Sequence, residues 1–347
     1  MVDFAAFSSA LVSNPTLAVV MVLVIGMLVV NGATNAANAI GAAIGTRSIG
    51  PRAAIALGAV CNFVGLVVMT LVSAAVADTI GHLVDFGAGT GQALPALAAA
   101  MCAIVVWSLV AWKLGIPVSQ THALVAGLTG AALAVQGVAG ISLDAWGKVV
   151  AGLVVSSFLG LALGWLLSRA TAALFGRLGR RAANRLFGPA NVVAAAFLAF
   201  MHGAQDGQKF MSVAALGIAL SVGLDGVQGD YPLWVLVLCA VSLALGSGIG
   251  GRKIIKKTAM DMVSLEKYQG FSASLAAALC LLASSFAGVP VSTTHTKTTT
   301  LMGAGAAKRL RSVKWGIAGN MVAVWVLTFP CCGVIGWALA WLFTCFM

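Results

Sequence analysis

Residues 31–41 read NGATNAANAIG, and residues 16–30 before them read TLAVVMVLVIGMLVV. An uncharged apolar run thus ends in three asparagines and a threonine, and a helix-like stretch resumes behind them. Irregular polar backbone at membrane depth is tolerable only where it lines a cavity or is buried in protein. The stretch therefore predicts a broken helix inside a membrane-spanning bundle.

The composition of the whole chain agrees. Of 347 residues, 61% are hydrophobic and 8% charged, and the mean hydropathy is +1.03. Soluble domains carry about 25% charged residues. The 41 glycines fit close packing of membrane helices. An outer-membrane barrel would show short alternating segments, whereas the apolar runs here are long and continuous. The net charge of +11 would point to nucleic acid in a soluble protein. In a membrane protein it reads as basic cytoplasmic loops, with no nucleic-acid partner. The seven cysteines lie in apolar segments without metal-ligand spacing and read as small core residues. No basic stretch precedes the first apolar run, so no cleaved leader is expected.

A span needs about 20 apolar residues. Candidate segments are 16–46 and 188–220, both interrupted, and 53–75, 93–112, 115–136, 147–168, 233–250, 268–288, 290–307 and 316–345. The expected fold is an all-α polytopic membrane protein of about 10–12 membrane elements. Residues 1–46, 76–92, 137–147 and 221–232 contain no Lys or Arg but hold Asp3, Asp78, Asp85, Asp144, Asp225 and Asp230. The basic residues cluster at Arg47 and Arg52, at Lys113, and within 169–185, 252–267 and 308–314, which places 17 of 20 on one side. The positive-inside rule makes that side the cytoplasm. Both termini are then outside a cell (inner) membrane, with lipids as the surrounding partner.

The chain also repeats itself. NGATNAANAIG at Asn31 is echoed by HGAQDGQKFMS at His202, 171 residues on, and GIPVSQTHAL at Gly115 by GVPVSTTHTK at Gly288, 173 residues on. Given the topology, the members of each pair enter from opposite faces. An inverted-topology repeat with broken or re-entrant helices, its site near the midplane, is the architecture of secondary transporters. The halves would be 1–168 and 188–347, with 169–187 a solvated cytoplasmic basic connector.

Four motifs carry the chemistry. Pro117 and Pro290 suit the first turn of a helix. Ser119, Gln120 and Thr121, and Ser292, Thr293 and Thr294, then lie at helix starts, where free N–H groups and the dipole favour an anion. Two such starts, one from each face, could grip one tetrahedral oxyanion, with Gln205 and Lys209 as further ligands. Thr34, Asn35 and Asn38, with Asp206, offer oxygens that suit a coupling cation such as sodium; no other metal is implied. Asp206, deep in a span, is a functional candidate on cost alone, although an ion pair with Lys209 is the plainer reading. Buried Lys209 and Lys297 need counter-ions; Lys297 has the alternative of snorkelling outward. His122, His202 and His295 are either proton carriers or, for His122 and His295, hydrogen-bonding helix-start residues. No nucleophile–base pair, HExxH spacing or P-loop is present. An enzyme is excluded on that ground, no cofactor is called for beyond sodium or a proton, and no ATPase segment is present.

At these residues the chain resembles the inorganic phosphate transporter (PiT) family. NAANAIGAAIGTRSIGPRAA and HGAQDGQKFMSVAAL are similar to its two signatures, and the PVS pair, GRKIIKKTAMDMVSLEKYQGF and KRLRSVKWGIAGNMVAVWVLTFP are similar to its later segments. The resemblance implies phosphate import by symport with sodium or protons, about twelve membrane elements and a homodimer. A sulfate permease of the same family and an anion channel are the alternatives. The family's first signature usually carries Asp where this chain has Asn35, which shifts the balance somewhat toward sulfate, a dianion with no proton to be accepted.

Overall fold

The structure, a computed structural model, describes residues 4–87, 91–114, 118–224, 226, 229, 231–249 and 262–346. Gly115, Pro117, Asp3, Asp225, Asp230 and most of the basic loop 252–267 lie outside the described residues. The described residues are almost entirely helical: α1 (Phe4–Ser13), α2 (Pro15–Asn31), a π-helical turn (Gly32–Ala36), α3 (Ala37–Gly45), α4 (Pro51–Val72), α5 (Ala75–Gly81), α6 (Ala93–Leu114), α7 (Gln120–Gln136), α8 (Leu143–Phe175), α9 (Arg180–Ser221), α10 (Leu233–Ile249), α11 (Lys267–Phe286), α12 (Thr293–Ala306) and α13 (Trp315–Phe346). Eight helices among the described residues are long and apolar enough to cross a membrane. Their outer faces expose large apolar side chains, such as Val60 and Leu71 on α4, Phe158 and Trp165 on α8, and Val326 and Trp341 on α13. Apolar surface on this scale suits lipid and no aqueous solvent.

Local chemistry sets several helix ends. Pro15 follows the Asn14 cap, whose side chain accepts from the Thr16 amide at 3.1 Å, and Pro51 opens α4. Both prolines occupy the first turn, where a missing N–H costs nothing. Helix α12, at 14 residues, is about 21 Å long, short of the ~30 Å hydrocarbon core. It is a half-length element that begins in the interior. Helix α9 is the hub, because every residue from position 201 to 219 is buried.

Tight glycine contacts reveal how the halves are related. A Cβ on Gly32 would sit 2.3 Å from the Leu243 carbonyl oxygen, and one on Gly246 2.1 Å from that of Val29, so the α2 region and α10 touch backbone to backbone. The mirror contacts join α4 to α9: Gly203 meets the Asn62 carbonyl at 2.1 Å and Gly65 that of Phe200 at 1.9 Å. A second set behaves the same way. Gly130 of α7 abuts Gly333 of α13, while Gly303 of α12 abuts Leu161 of α8. The loops repeat the pattern, with isolated bridges Val84–Ile141 in one half and Val263–Val313 in the other. Contacts exchanged between halves in this way are what an approximate two-fold relation produces, and they are the structural form of the inverted repeat.

One expectation needs correction. Segment 188–220 was expected to be interrupted, but α9 runs through the echo motif at His202 as one 42-residue helix, with Pro189 near its start. Nothing in HGAQDGQKF forces a break, because Gly203 and Gly207 pack against α4 within regular helix. Within 169–187, α8 continues to Phe175 and α9 begins at Arg180.

Candidate functional site

The site starts from the two PVS segments. Ser119 caps α7, its hydroxyl accepting from the His122 amide at 3.2 Å, and Ser292 caps α12, accepting from the His295 amide at 3.2 Å. The two serine hydroxyls share a hydrogen bond of 2.8 Å. The starts of the two helices therefore meet, and their positive dipole ends converge. The residues just before them lock the junction reciprocally. Thr121 donates to the Val291 carbonyl at 3.2 Å, and Thr294 donates to that of Val118 at 3.3 Å. His122 and His295 face each other behind it with ring centroids 4.4 Å apart, and His295 stacks on Trp325 at 3.7 Å.

The echo motif at His202 supplies the charge. Asp206 is buried and uses both carboxylate oxygens. Oδ1 accepts from Lys209 Nζ at 3.0 Å, and Oδ2 accepts from Thr293 at 3.0 Å and from Asn31 at 3.3 Å. His202 Nε2 lies 3.1 Å from Oδ2. Lys209 is satisfied on three sides, donating also to Thr121 Oγ1 at 2.9 Å and to the Val291 carbonyl at 2.6 Å. Spacing i, i+3 on one helix makes the Asp206–Lys209 pair local. A buried carboxylate of this kind is stable only with such partners.

The first motif is built differently. Its π-turn widens the helix, Thr34 bonds back to the Val30 carbonyl at 2.8 Å, and Asn35 is buried. Thr34 is thereby spent on its own helix. The backbone carbonyl of Asn35 accepts from Lys297 Nζ at 3.3 Å. Lys297 is 2% exposed, so it does not snorkel to the surface.

The structure thus brings Ser119, Thr121, Ser292, Thr293, Thr294, Asp206 and Lys209 into one hydrogen-bonded cluster. Three other expected ligands are also buried. Gln120 Oε1 accepts from Ser108 of α6 at 2.8 Å, Gln205 donates to Ser285 of α11 at 3.0 Å, and Asn38 is buried in the first turn of α3. Sequence reasoning did not find Asn31 as a ligand of Asp206, nor Asn62, whose Oδ1 lies 2.6 Å from His202 Nδ1. Asn62 sits in an otherwise apolar helix, α4, and that isolation was the available signal.

A helical membrane protein whose halves exchange contacts, with two helix starts meeting at a buried charged cluster, has the frame of a secondary transporter. The chain belongs to the phosphate transporter family, whose profile matches residues 31–336. It is therefore a multi-pass membrane transporter, not an enzyme. Over 306 residues it is 36% identical to a probable low-affinity inorganic phosphate transporter of Rhizobium meliloti, covering 88% of this chain and 90% of the relative. Over 307 residues it is 33% identical to a protein of the same description from Bacillus subtilis, covering 88% of this chain and 91% of the relative. In fold it is similar to a solved structure described as the sodium-dependent phosphate transporter, with a TM-score of 0.83 at 22% identity over 96% of this chain and all of the other.

Proposed function

We propose that this chain imports inorganic phosphate across the cell membrane by symport with a monovalent cation, the anion being held between the starts of α7 and α12. The observation that carries the reading is the hydrogen-bonded pair Ser119–Ser292 (2.8 Å) with Lys209 and Thr293 beside it. Phosphate held there takes over the hydroxyls that the serines now give each other, and it meets two converging helix dipoles and an ammonium group. Among the described residues the buried interior carries Lys209 and Lys297 against one carboxylate, Asp206, so an anion completes the charge balance. Asp206, with Asn35, Asn38 and Thr34, forms the coupling-cation side of the site, and sodium or a proton is the coupling ion. Residues 1–168 and 188–347 act as the two moving halves, with both termini outside, and two chains form the working homodimer.

The test is uptake of labelled phosphate into liposomes holding the purified protein, with labelled sulfate in parallel. Accumulation of phosphate that excess phosphate blocks and sulfate does not supports the reading. Sulfate accumulation instead would favour the sulfate permease, and flux without dependence on any ion gradient would favour a channel.

A further inference from the structure

The Asn-rich motif at Asn31 and its echo at His202 each end against a lysine, and the two lysines arrive by different routes. In the second motif Lys209 comes from the motif itself. Its three N–H donors reach Asp206 Oδ1 at 3.0 Å, Thr121 Oγ1 at 2.9 Å and the Val291 carbonyl at 2.6 Å, which accounts for all three. In the first motif the equivalent position is Asn38, and the ammonium group comes from α12 instead. Lys297 Nζ donates to the Asn35 carbonyl oxygen at 3.3 Å, inside the π-turn whose oxygens would otherwise suit a metal cation. Asn35 stands where the other half has Asp206, so the first motif offers a cation only neutral oxygens. Among the described residues Asp206 is the one buried carboxylate, and the buried basic side chains are Lys209, Lys297, His122, His202 and His295.

We propose that the Lys297 ammonium group is a tethered cation that fills the cation pocket of the first motif, so that sodium has no place there and phosphate uptake by this chain does not require sodium. An ammonium group and a sodium ion compete for the same carbonyl and carboxamide oxygens. A sodium ion entering beside Lys297 meets like-charge repulsion, and no carboxylate on that motif offsets it. It also adds to an interior already positive by one charge, whereas phosphate removes that excess. The inference rests on the reading of the chain as a phosphate symporter and narrows its coupling ion to the proton.

The experiment has two arms. In the first, binding of labelled sodium to the purified wild-type protein is measured alongside phosphate uptake into liposomes, in sodium buffer and in choline buffer, each with and without an inward proton gradient. Expected are uptake rates within twofold in the two buffers, at least tenfold stimulation by the proton gradient, and no saturable sodium binding. In the second arm Lys297→Met is combined with Asn35→Asp, which empties the pocket and restores a carboxylate. That variant is expected to gain saturable sodium binding and at least tenfold stimulation of uptake by sodium. Saturable sodium binding by the wild type, or a tenfold fall of its uptake in choline, overturns the inference without any variant. A folded double variant that stays indifferent to sodium also overturns it. Absence of phosphate uptake in every buffer refutes the transport reading instead, and the sodium-binding arm still decides the role of Lys297.

Discussion

The Asn-rich motif at Asn31 and its echo at His202 follow one pattern and are packed alike, yet they store charge differently. Gly32 and Gly203 each press on the backbone of a helix from the opposite half, Leu243 in one case and Asn62 in the other. Around that shared contact, the first motif opens into a π-turn with a neutral Asn35 and borrows Lys297, while the second stays regular and carries its own ion pair, Asp206–Lys209. Packing is thus symmetric and electrostatics is not. Backbone contact is a steric demand that both halves must meet for the helices to close. Net charge has to balance only over the whole interior, so one half can hold the carboxylate for both.

This comparison breaks most visibly at the glycines. Gly65→Ala and Gly246→Ala would place a Cβ 1.9 Å and 2.1 Å from carbonyl oxygens of the facing helices. Neither backbone can yield locally, so both variants are expected to lose folded, monodisperse protein in size-exclusion chromatography, and to a similar degree. Normal behaviour of one and collapse of the other would show that the packing is not shared.

The next largest effect is expected at Asp206. Asp206→Asn leaves Lys209 buried without its counter-charge, and breaking such a pair costs about 3–5 kcal/mol. Lower thermal stability and loss of gradient-driven accumulation should follow, and Asp206→Asn with Lys209→Met should recover most of the stability but not the accumulation. Concentrative uptake by the single variant would move coupling away from this half.

Smaller again are the caps. Ser119→Ala and Ser292→Ala each remove a cap worth about 0.5–2 kcal/mol together with one hydroxyl offered to the anion. Each is expected to raise the KM for phosphate roughly tenfold, a change of about 1.4 kcal/mol, with folded protein retained. Equal effects sharpen the two-fold picture, and uptake undiminished in both removes the serines from the site. The smallest change is expected for Asn35→Asp alone, which gives Lys297 a carboxylate. A small gain in stability, read as a higher melting temperature, would show that the two motifs can be made electrostatically alike.

Much of this was legible in the chain. Membrane residence, the repeat and its two offsets followed from apolar runs and matched motifs, because hydrophobicity and helix-start residues act locally. Ser119, Ser292 and their threonines were found because the Pro-Val-Ser order fixes a helix start wherever it stands. What the sequence did not show is the partners of Gln120 and Gln205, whose carboxamides bond to Ser108 and Ser285. A long side chain chooses among partners that only the assembled helices provide. The break expected in α9 was absent for a related reason: Gly203 and Gly207 serve close packing against α4 there, and a glycine reads the same in sequence whether it bends a helix or admits a neighbour.

The amino-acid sequence alone thus determined a helical, twice-repeated membrane protein with paired polar helix starts, since those properties arise from residue type and short spacing. Tertiary structure alone decided that Ser119 bonds to Ser292, that Asn31 reaches Asp206 across the halves, and that Lys297 turns inward to Asn35. Each of these joins residues 173, 175 and 262 positions apart, and no local rule of helix formation carries information over such distances.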